Sequence, residues 1–425
     1  MKTTDRSRAS RKAKPSPAMR AIELREYEPT EETLSVGERD ALRAAVPSLT
    51  IEPATGQEAV YRLTPGSTVG ALEIGDLSVS IRPKLDISRV LFLASYAMGA
   101  FKLQDEPFSF KDAETLVEAV APAFVAAAQS AFGRGLLHGY RTEEEALHTV
   151  RGRIMVAEQV RRRFDIPLPV EVRYDDFTDD ILPNRLVKAA AVVLGAMHIR
   201  DAYARDGLGW MDATLSNVSL VRFDPSGIPA VAFDRLNEHY REVVELSSLI
   251  LRYRAFELDR GWIRASGFLV DMNEVFQAFV TRALRESLGV SDRALCSDQA
   301  LPTPLTLDEG RRVGLKPDLS WWEGSVCVFV GDAKYKRVRD ERVPNADLYQ
   351  MLAYVTAMDL PGGLLAYAQG EAEPVVHEVR NSGKRIEVAA VDLSSTIGDI
   401  RASISELALN VRALRDDARR LRRAA

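Results

Sequence analysis

Three side chains in the segment 318–354 are of the types that hydrolyse phosphodiesters, Asp318, Asp332 and Lys334, and Gln350 and Tyr354 follow them. Asp332-Ala333-Lys334 closes an apolar run, Val326-Cys-Val-Phe-Val, and Pro317-Asp318 precedes it across a turn that contains Gly324. Successive side chains of a strand point to opposite faces, so Asp332 and Lys334 share one face and Ala333 looks away. An antiparallel hairpin returns Asp318 to that place, where two carboxylates then meet one ammonium. Oxygen donors of this kind (Asp318, Asp332 and the Ala333 carbonyl) suit Mg²⁺, which neutralises charge on the transition state and lowers the pKa of a bound water. Lys334 can orient that water and stabilise developing negative charge, a contact typically worth roughly 100- to 1,000-fold in rate. Gln350 and Tyr354 stand at i and i+4 and share a helix face. The plain alternative for Asp332 and Lys334 is a surface ion pair worth at most about 1 kcal/mol. A bare D-x-K is frequent by chance. The Pro-Asp upstream, the apolar strand, the basic run after it and the helical pair are the context that favours a metal-dependent nuclease.

The elements that must position these residues form a mixed α/β region over 266–425. Its expected parts are a helix over 271–288, with Val275, Phe276, Phe279, Val280 and Leu284 on one stripe, and strands over 313–319 and 326–334. A helix over 346–358, strands over 364–368 and 385–392, and a long helix over 397–422 follow. Trp321 and Trp322 fall at the tip of the hairpin, where they either stack on a base or pack against a helix. Upstream, residues 106–265 read as mostly helical, with apolar residues at helical spacing over 113–132, 142–150, 184–206 and 236–256. Residues 21–105 read as a β-rich unit, because short Val, Ile, Leu and Tyr runs at 49–52, 59–63, 69–74 and 77–81 alternate with turn residues, ahead of a helix over 90–100. Residues 1–20 are basic and polar, as a disordered arm is. The expected fold class is thus multidomain α+β, and 425 residues are more than one core usually organises.

Composition excludes several function classes. The first twenty residues carry a net +6 and residues 399–425 a net +3, which leaves 42 basic against 56 acidic residues between them, a net −14. A body that acidic does not find DNA through a broad basic face, so any grip on nucleic acid is local or belongs to a partner. Two cysteines, Cys296 and Cys327, exclude a disulfide framework and a four-cysteine zinc or iron–sulfur site. The five histidines are scattered, and there is no GxxxxGK[ST], GxSxG or HExxH. No run of apolar residues is long enough to span a bilayer, and no apolar h-region follows the basic N-terminus, so a cytoplasmic protein is expected.

Asp318, Asp332, Lys334, Gln350 and Tyr354 together resemble the PD-(D/E)xK nucleases, in particular the branch with a QxxxY pair on the following helix. Other segments narrow the resemblance to the McrC family, the nuclease subunits of McrBC modification-dependent restriction systems. They are Val69-Gly-Ala-Leu-Glu-Ile74 with Val79-Ser-Ile81-Arg-Pro-Lys84, then Val150-Arg-Gly-Arg-Ile154, Tyr174-Asp-Asp-Phe-Thr-Asp179, Asn184-Arg185-Leu186 and Met272-Asn273-Glu274-Val275-Phe276. Their order along one chain, from about residue 60 to 370, is more specific than any one of them. The family usually places a glutamate after that phenylalanine, where a third acid faces the metal; this chain has Gln277, and Glu274 lies one turn earlier.

The resemblance implies a central mixed sheet flanked by helices, Mg²⁺ dependence and cleavage of double-stranded, methylcytosine-containing DNA. It also implies a partner, McrB, a ring-forming AAA+ GTPase that recognises modified DNA, so that GTP is bound by the partner and not by this chain. Residues 21–105 would dock with the ring and stimulate its GTPase, and pairing of two copies through the nuclease domain would cut both strands. Lys336, Arg337, Arg339 and Arg342 are expected to contact DNA phosphates. Two other functions stay open: a catalytically weak activator or adaptor of the AAA+ partner, favoured only by Gln277, and a stand-alone DNA repair nuclease.

Overall fold

The computed structural model of the chain describes residues 20–56, 58–98, 113, 115–164, 166–255, 265–297, 301–335, 343–368 and 375–424. Most of the basic arm, residues 1–19, and the run 336–342 lie outside them. The chain is a mixed α/β protein with several sheets.

Alternation builds the first sheet. In Leu77–Arg82 every second residue is buried, and Leu77, Val79 and Ile81 meet Ile22, Leu24, Leu72 and Ile74 in one core. The strand order is Arg20–Arg25, Leu77–Arg82, Thr68–Ile74, Ala265–Asp271 and Arg254–Ala255. Only the first pair is parallel. Residues 266–271, which the sequence places with the C-terminal region, therefore belong to a strand of the N-terminal sheet. Asp271 ends that strand and caps the next helix, Met272–Leu288, by accepting the N–H of Asn273. A smaller sheet of Thr30–Thr33, Val60–Thr64 and Thr50–Pro53 lies beside the helix Val36–Ala45, whose Ser35 and Glu38 form a capping box.

Helices Ile87–Met98, Leu116–Phe132, Leu182–Gly195, Ala202–Thr214 and Arg241–Arg252 share one large apolar core. Two expectations fail here. Residues 142–150 are not helical: Gly139–Leu147 is a strand that pairs along its length with Val170–Thr178, and Arg153–Ile154 joins that strand's other edge. The helical spacing of the few apolar residues in 142–150 is overridden, because the glutamates there find cross-strand partners. Arg173 pairs with Glu144, and the Tyr174 hydroxyl donates to Glu145 at 3.0 Å. Such pairs, added to β-branched Val170 and Val172, outweigh a helix propensity of tenths of a kcal/mol per residue. Residues 184–206 form two helices and not one, because the first stops at Gly195 and Asp201 starts the second by capping the N–H of Ala204.

The same region explains three of the sequence signatures as scaffolding. Gly152 has φ +68°, and a Cβ there would stand 2.4 Å from the carbonyl of Arg173, so only glycine fits between the arginines of Arg151-Gly-Arg153. The buried Asn184 amide donates to the carbonyls of Leu137 and Asp179 at 2.8 and 2.7 Å. Asp180 accepts from Arg185 at 2.7 Å and from Ser219, and Arg141 pairs with it from the strand. These partners hold its carboxyl far below the ordinary carboxylate range.

The C-terminal sheet runs in the order Leu295–Cys296, Leu319–Glu323, Val326–Lys334, Gly362–Ala368, Arg385–Val391 and Val375–Glu378. Val326–Lys334, Gly362–Ala368 and Arg385–Val391 are parallel, with antiparallel strands on both sides. Helices Met272–Leu288 and Ile397–Ala424 cover the face that carries Phe329, Leu364 and Ala366. Helix Asn345–Ala357 covers the other, with Val330, Leu365 and Tyr367. Packing decides the two tryptophans. Both are buried, with the Arg415 guanidinium 4.7 Å from the Trp321 ring and Trp322 donating to Ser320 Oγ at 2.9 Å. Among the described residues no helix is long and apolar enough to cross a membrane.

Candidate active site

The hairpin between Leu319–Glu323 and Val326–Lys334 pairs Leu319 with Gly331, which sets Asp318 beside Asp332 between two inner strands of the sheet. The two aspartates are held by each other's strand. Asp318 Oδ2 accepts the N–H of Ala333 at 2.9 Å, and Asp332 Oδ1 accepts the N–H of Asp318 at 3.3 Å. Val330, Asp332 and Lys334 alternate onto the face beneath helix Asn345–Ala357, as strand geometry requires. There the Lys334 ammonium pairs with Asp332 Oδ2 and donates to Gln350 Oε1 at 3.0 Å. Gln350 Nε2 donates to the Tyr354 hydroxyl at 2.9 Å, and that hydroxyl donates to the Lys316 carbonyl at 2.9 Å. All five residues expected from the sequence are thus joined in one hydrogen-bonded relay that begins and ends in the segment 316–318, just before the hairpin's first arm, which is Leu319–Glu323 and not the strand over 313–319 that the sequence suggests.

Close approach of the helix makes the relay possible. Gly363 lies under it, and a Cβ there would sit 2.4 Å from Met351 Sδ and 2.8 Å from Val355 Cγ1. With no side chain at 363, the helix settles onto the sheet and Gln350 reaches Lys334.

Electrostatics mark the site as short of positive charge. Burial, and then the charge of Asp332, push the Asp318 carboxyl well above the usual carboxylate range. Asp332 itself is 1% exposed. Burial works against the Lys334 ammonium, but Asp332 and Asp318 outweigh it and raise its pKa, so it stays charged. Tyr354 is pushed up by burial and by both aspartates and remains a protonated donor. The two carboxylates are hard oxygen donors set against one ammonium, and they fit a divalent cation such as Mg²⁺, whose charge would offset the burial and the repulsion that now favour a proton on Asp318.

Among the described residues no third His, Cys, Asp or Glu completes a metal-binding group with the two aspartates. Glu274 is exposed and Gln277 half-buried, on helix Met272–Leu288, which packs its Phe276 against Tyr335 on the sheet's opposite face. Lys336, Arg337, Arg339 and Arg342 lie outside the described residues. Sequence reasoning missed Asp347 and Tyr367. Asp347 is three residues before Gln350 on the same helix, is buried, accepts from the Tyr367 hydroxyl, and adds to the field that keeps Lys334 charged. Its spacing of 3 and 7 from Gln350 and Tyr354 was the available signal.

A model of the McrBC 5-methylcytosine restriction system component family matches residues 63–368. The Type IV methyl-directed restriction enzyme EcoKMcrBC of Escherichia coli strain K12 is 19% identical over 342 residues, which is 73% of this chain and 94% of that protein. A chain in the refined half-complex from the tetradecameric assembly of Thermococcus gammatolerans McrB AAA+ hexamers with bound McrC is similar in fold. Its TM-score is 0.55 at 17% identity, over 91% of this chain and 100% of that one.

Proposed function

The chain belongs to the McrBC 5-methylcytosine restriction system component family, and from that premise we propose that it is the DNA-cleaving subunit of such a system, of the McrC type. Its C-terminal region would be a PD-(D/E)xK nuclease domain that hydrolyses phosphodiesters of methylcytosine-containing double-stranded DNA in the cytoplasm. The observation that carries this reading is the relay Asp332–Lys334–Gln350–Tyr354 closing back on Lys316, two residues before Asp318.

Asp318 and Asp332, with the Ala333 carbonyl, would hold Mg²⁺, while Gln277 and Glu274, expected near it from the sequence, sit on the helix that covers the sheet's opposite face. When bound, the cation supplies charge neutralisation at the phosphate and a more acidic water. This chain's own residues do the rest. Gln350 holds the Lys334 ammonium from the side away from Asp332, so the lysine is fixed between two acceptors and meets a phosphate without reorganising. Tyr354 fixes the Gln350 amide so that its oxygen, and not its nitrogen, faces the lysine. Lys336, Arg337, Arg339 and Arg342, directly after Lys334 in sequence, would grip neighbouring phosphates.

The chain has no phosphate-binding loop motif of its own, and its body is acidic. Both support a division of labour in which an AAA+ GTPase ring of the McrB type binds GTP and recognises the modified base. The N-terminal unit would dock with that ring and stimulate it, and two copies of the nuclease domain would pair to cut both strands. Gln277 in place of an acid favours the second reading, a catalytically weak activator of the ring.

Wild type and Asp332→Ala, each supplied with the ring partner, GTP, Mg²⁺ and methylated DNA, separate the two. Loss of cleavage with retained GTPase stimulation supports the nuclease. Equal cleavage by both proteins overturns it, and no cleavage by wild type favours the activator.

A further inference from the structure

Tyr335 follows Lys334 directly, and the N-terminal unit holds both of its oxygen atoms. The Tyr27 hydroxyl donates to the Tyr335 carbonyl at 3.1 Å, and the Tyr335 hydroxyl donates to Glu26 Oε2 at 3.4 Å. The same Glu26 oxygen accepts the N–H of Lys84 at 3.1 Å. The Lys84 ammonium stands 4.2 Å from the centre of the Tyr335 ring and 5.7 Å from that of Tyr27. Tyr335 is fully buried, and its ring also meets Phe276 at 6.1 Å.

Packing alone does not select this arrangement. Glu26 is 5% exposed while Lys84 remains exposed, and a carboxyl group taken from water at a junction between two sheets stabilises it no better than an apolar residue of that size. Tyr27 also adopts a left-handed φ of 61°, uncommon for a residue with a side chain, to present its ring. Glu26 and Lys84 lie just past the ends of two paired strands, Arg20–Arg25 and Leu77–Arg82, where the backbone is aimed by the sheet itself.

What the junction grips is the end of the catalytic strand. Lys334 is the last residue of Val326–Lys334 to pair, with Tyr367. A strand end is held on one side only, and the reach of the Lys334 ammonium to Gln350 depends on where the next peptide lies. The clasp on Tyr335 supplies that second anchor, from residues of the unit that carries the Ile81-Arg-Pro-Lys84 signature.

We propose that Glu26, Tyr27 and Lys84 form a clasp on Tyr335 by which the N-terminal unit positions Lys334 for cleavage. The clasp rests on the nuclease reading above. It makes the four residues positioning residues: they touch neither phosphate nor metal, and a shift of the N-terminal unit is passed to the lysine.

Tyr27→Phe removes the hydroxyl that meets the Tyr335 main chain, and Tyr335→Phe removes the bond to Glu26 while keeping the ring. Both are assayed as full chains with the ring partner, GTP, Mg²⁺ and methylated DNA, beside Asp332→Ala. Each is expected to lower kcat about tenfold, below the roughly 100-fold that a 1 Å misplacement can bring. KM for DNA, GTPase stimulation and melting temperature should stay within about twofold or a few degrees of wild type. Wild-type kcat in both variants overturns the clasp, as does a fall in kcat matched by an equal weakening of DNA affinity and GTPase stimulation. Active Asp332→Ala instead overturns the nuclease reading and the clasp with it, whereas inactive Asp332→Ala beside two fully active tyrosine variants removes the clasp alone.

Discussion

The backbone N–H of Ala333 donates to Oδ2 of Asp318 at 2.9 Å, so the residue between Asp332 and Lys334, whose side chain faces away, orients the first aspartate through its main chain. Asp318 reciprocates with its own N–H, which donates to Asp332 Oδ1 at 3.3 Å. Neither carboxylate can turn without breaking a bond to the opposite strand, and the hairpin register fixes their separation.

That mutual hold predicts a metal-dependent stability. Without metal, Asp332→Asn removes both the like charge that presses on Asp318 and the partner of the Lys334 ammonium, so the variant's metal-free melting point serves as its own baseline. With Mg²⁺ at 100 times its Kd, wild type should gain about 2.7 kcal/mol and the variant far less. Calorimetry with and without EDTA reads both. An equal gain in the two proteins would remove Asp332 from the ligand set.

Gly363→Ala should injure the site from behind. The new methyl group meets Met351, which can bend, and Val355, which cannot, so stability falls by about 1–3 kcal/mol. The helix carrying Gln350 and Tyr354 is lifted, and cleavage falls by more than the change in folded fraction accounts for. Urea unfolding and a cleavage assay on the same sample measure the two effects; unchanged stability would mean that the helix does not sit this close.

Glu26 makes stability depend on pH. Burial raises its carboxyl from 4.5 to about 7, against the N–H and charge of Lys84 and the Tyr335 hydroxyl, with Asp271 adding to the rise. The folded chain therefore binds this proton more tightly than the unfolded one. The stability it contributes is complete below the unfolded pKa and is lost as pH rises through 7. Glu26→Gln should flatten the fall in melting temperature between pH 5 and 8, a difference of at most about 3 kcal/mol. Parallel curves for the two proteins would contradict it.

The basic run is tested by salt. Neutralising Lys336, Arg337, Arg339 and Arg342 together should weaken DNA binding across sequences. The slope of log K against log salt should become shallower by about 0.9 for every phosphate that the chain no longer neutralises. An unchanged slope would leave the run as an ordinary solvated segment.

The relay was legible because its chemistry is local. Asp332 and Lys334 share a face by strand alternation, Gln350 and Tyr354 by helical pitch, and a single tight hairpin is enough to bring Asp318 back. Segments whose apolar residues had one period, such as Val326–Lys334 and Ile397–Ala424, were equally readable. Residues 142–150 were not, because their few apolar residues fall at helical spacing by sequence alone, and only a partner strand about thirty residues away, with its arginine and tyrosine, makes residues 139–147 a ladder. The tryptophans were undecided for the same reason: the Arg415 that covers Trp321 arrives from the last helix. Tertiary structure alone brought residues 265–271 back into the first sheet and set Tyr335 against Glu26, Tyr27 and Lys84. Contacts between residues hundreds apart leave no period or spacing in a single chain, since what selects them is the removal of water from both surfaces at once.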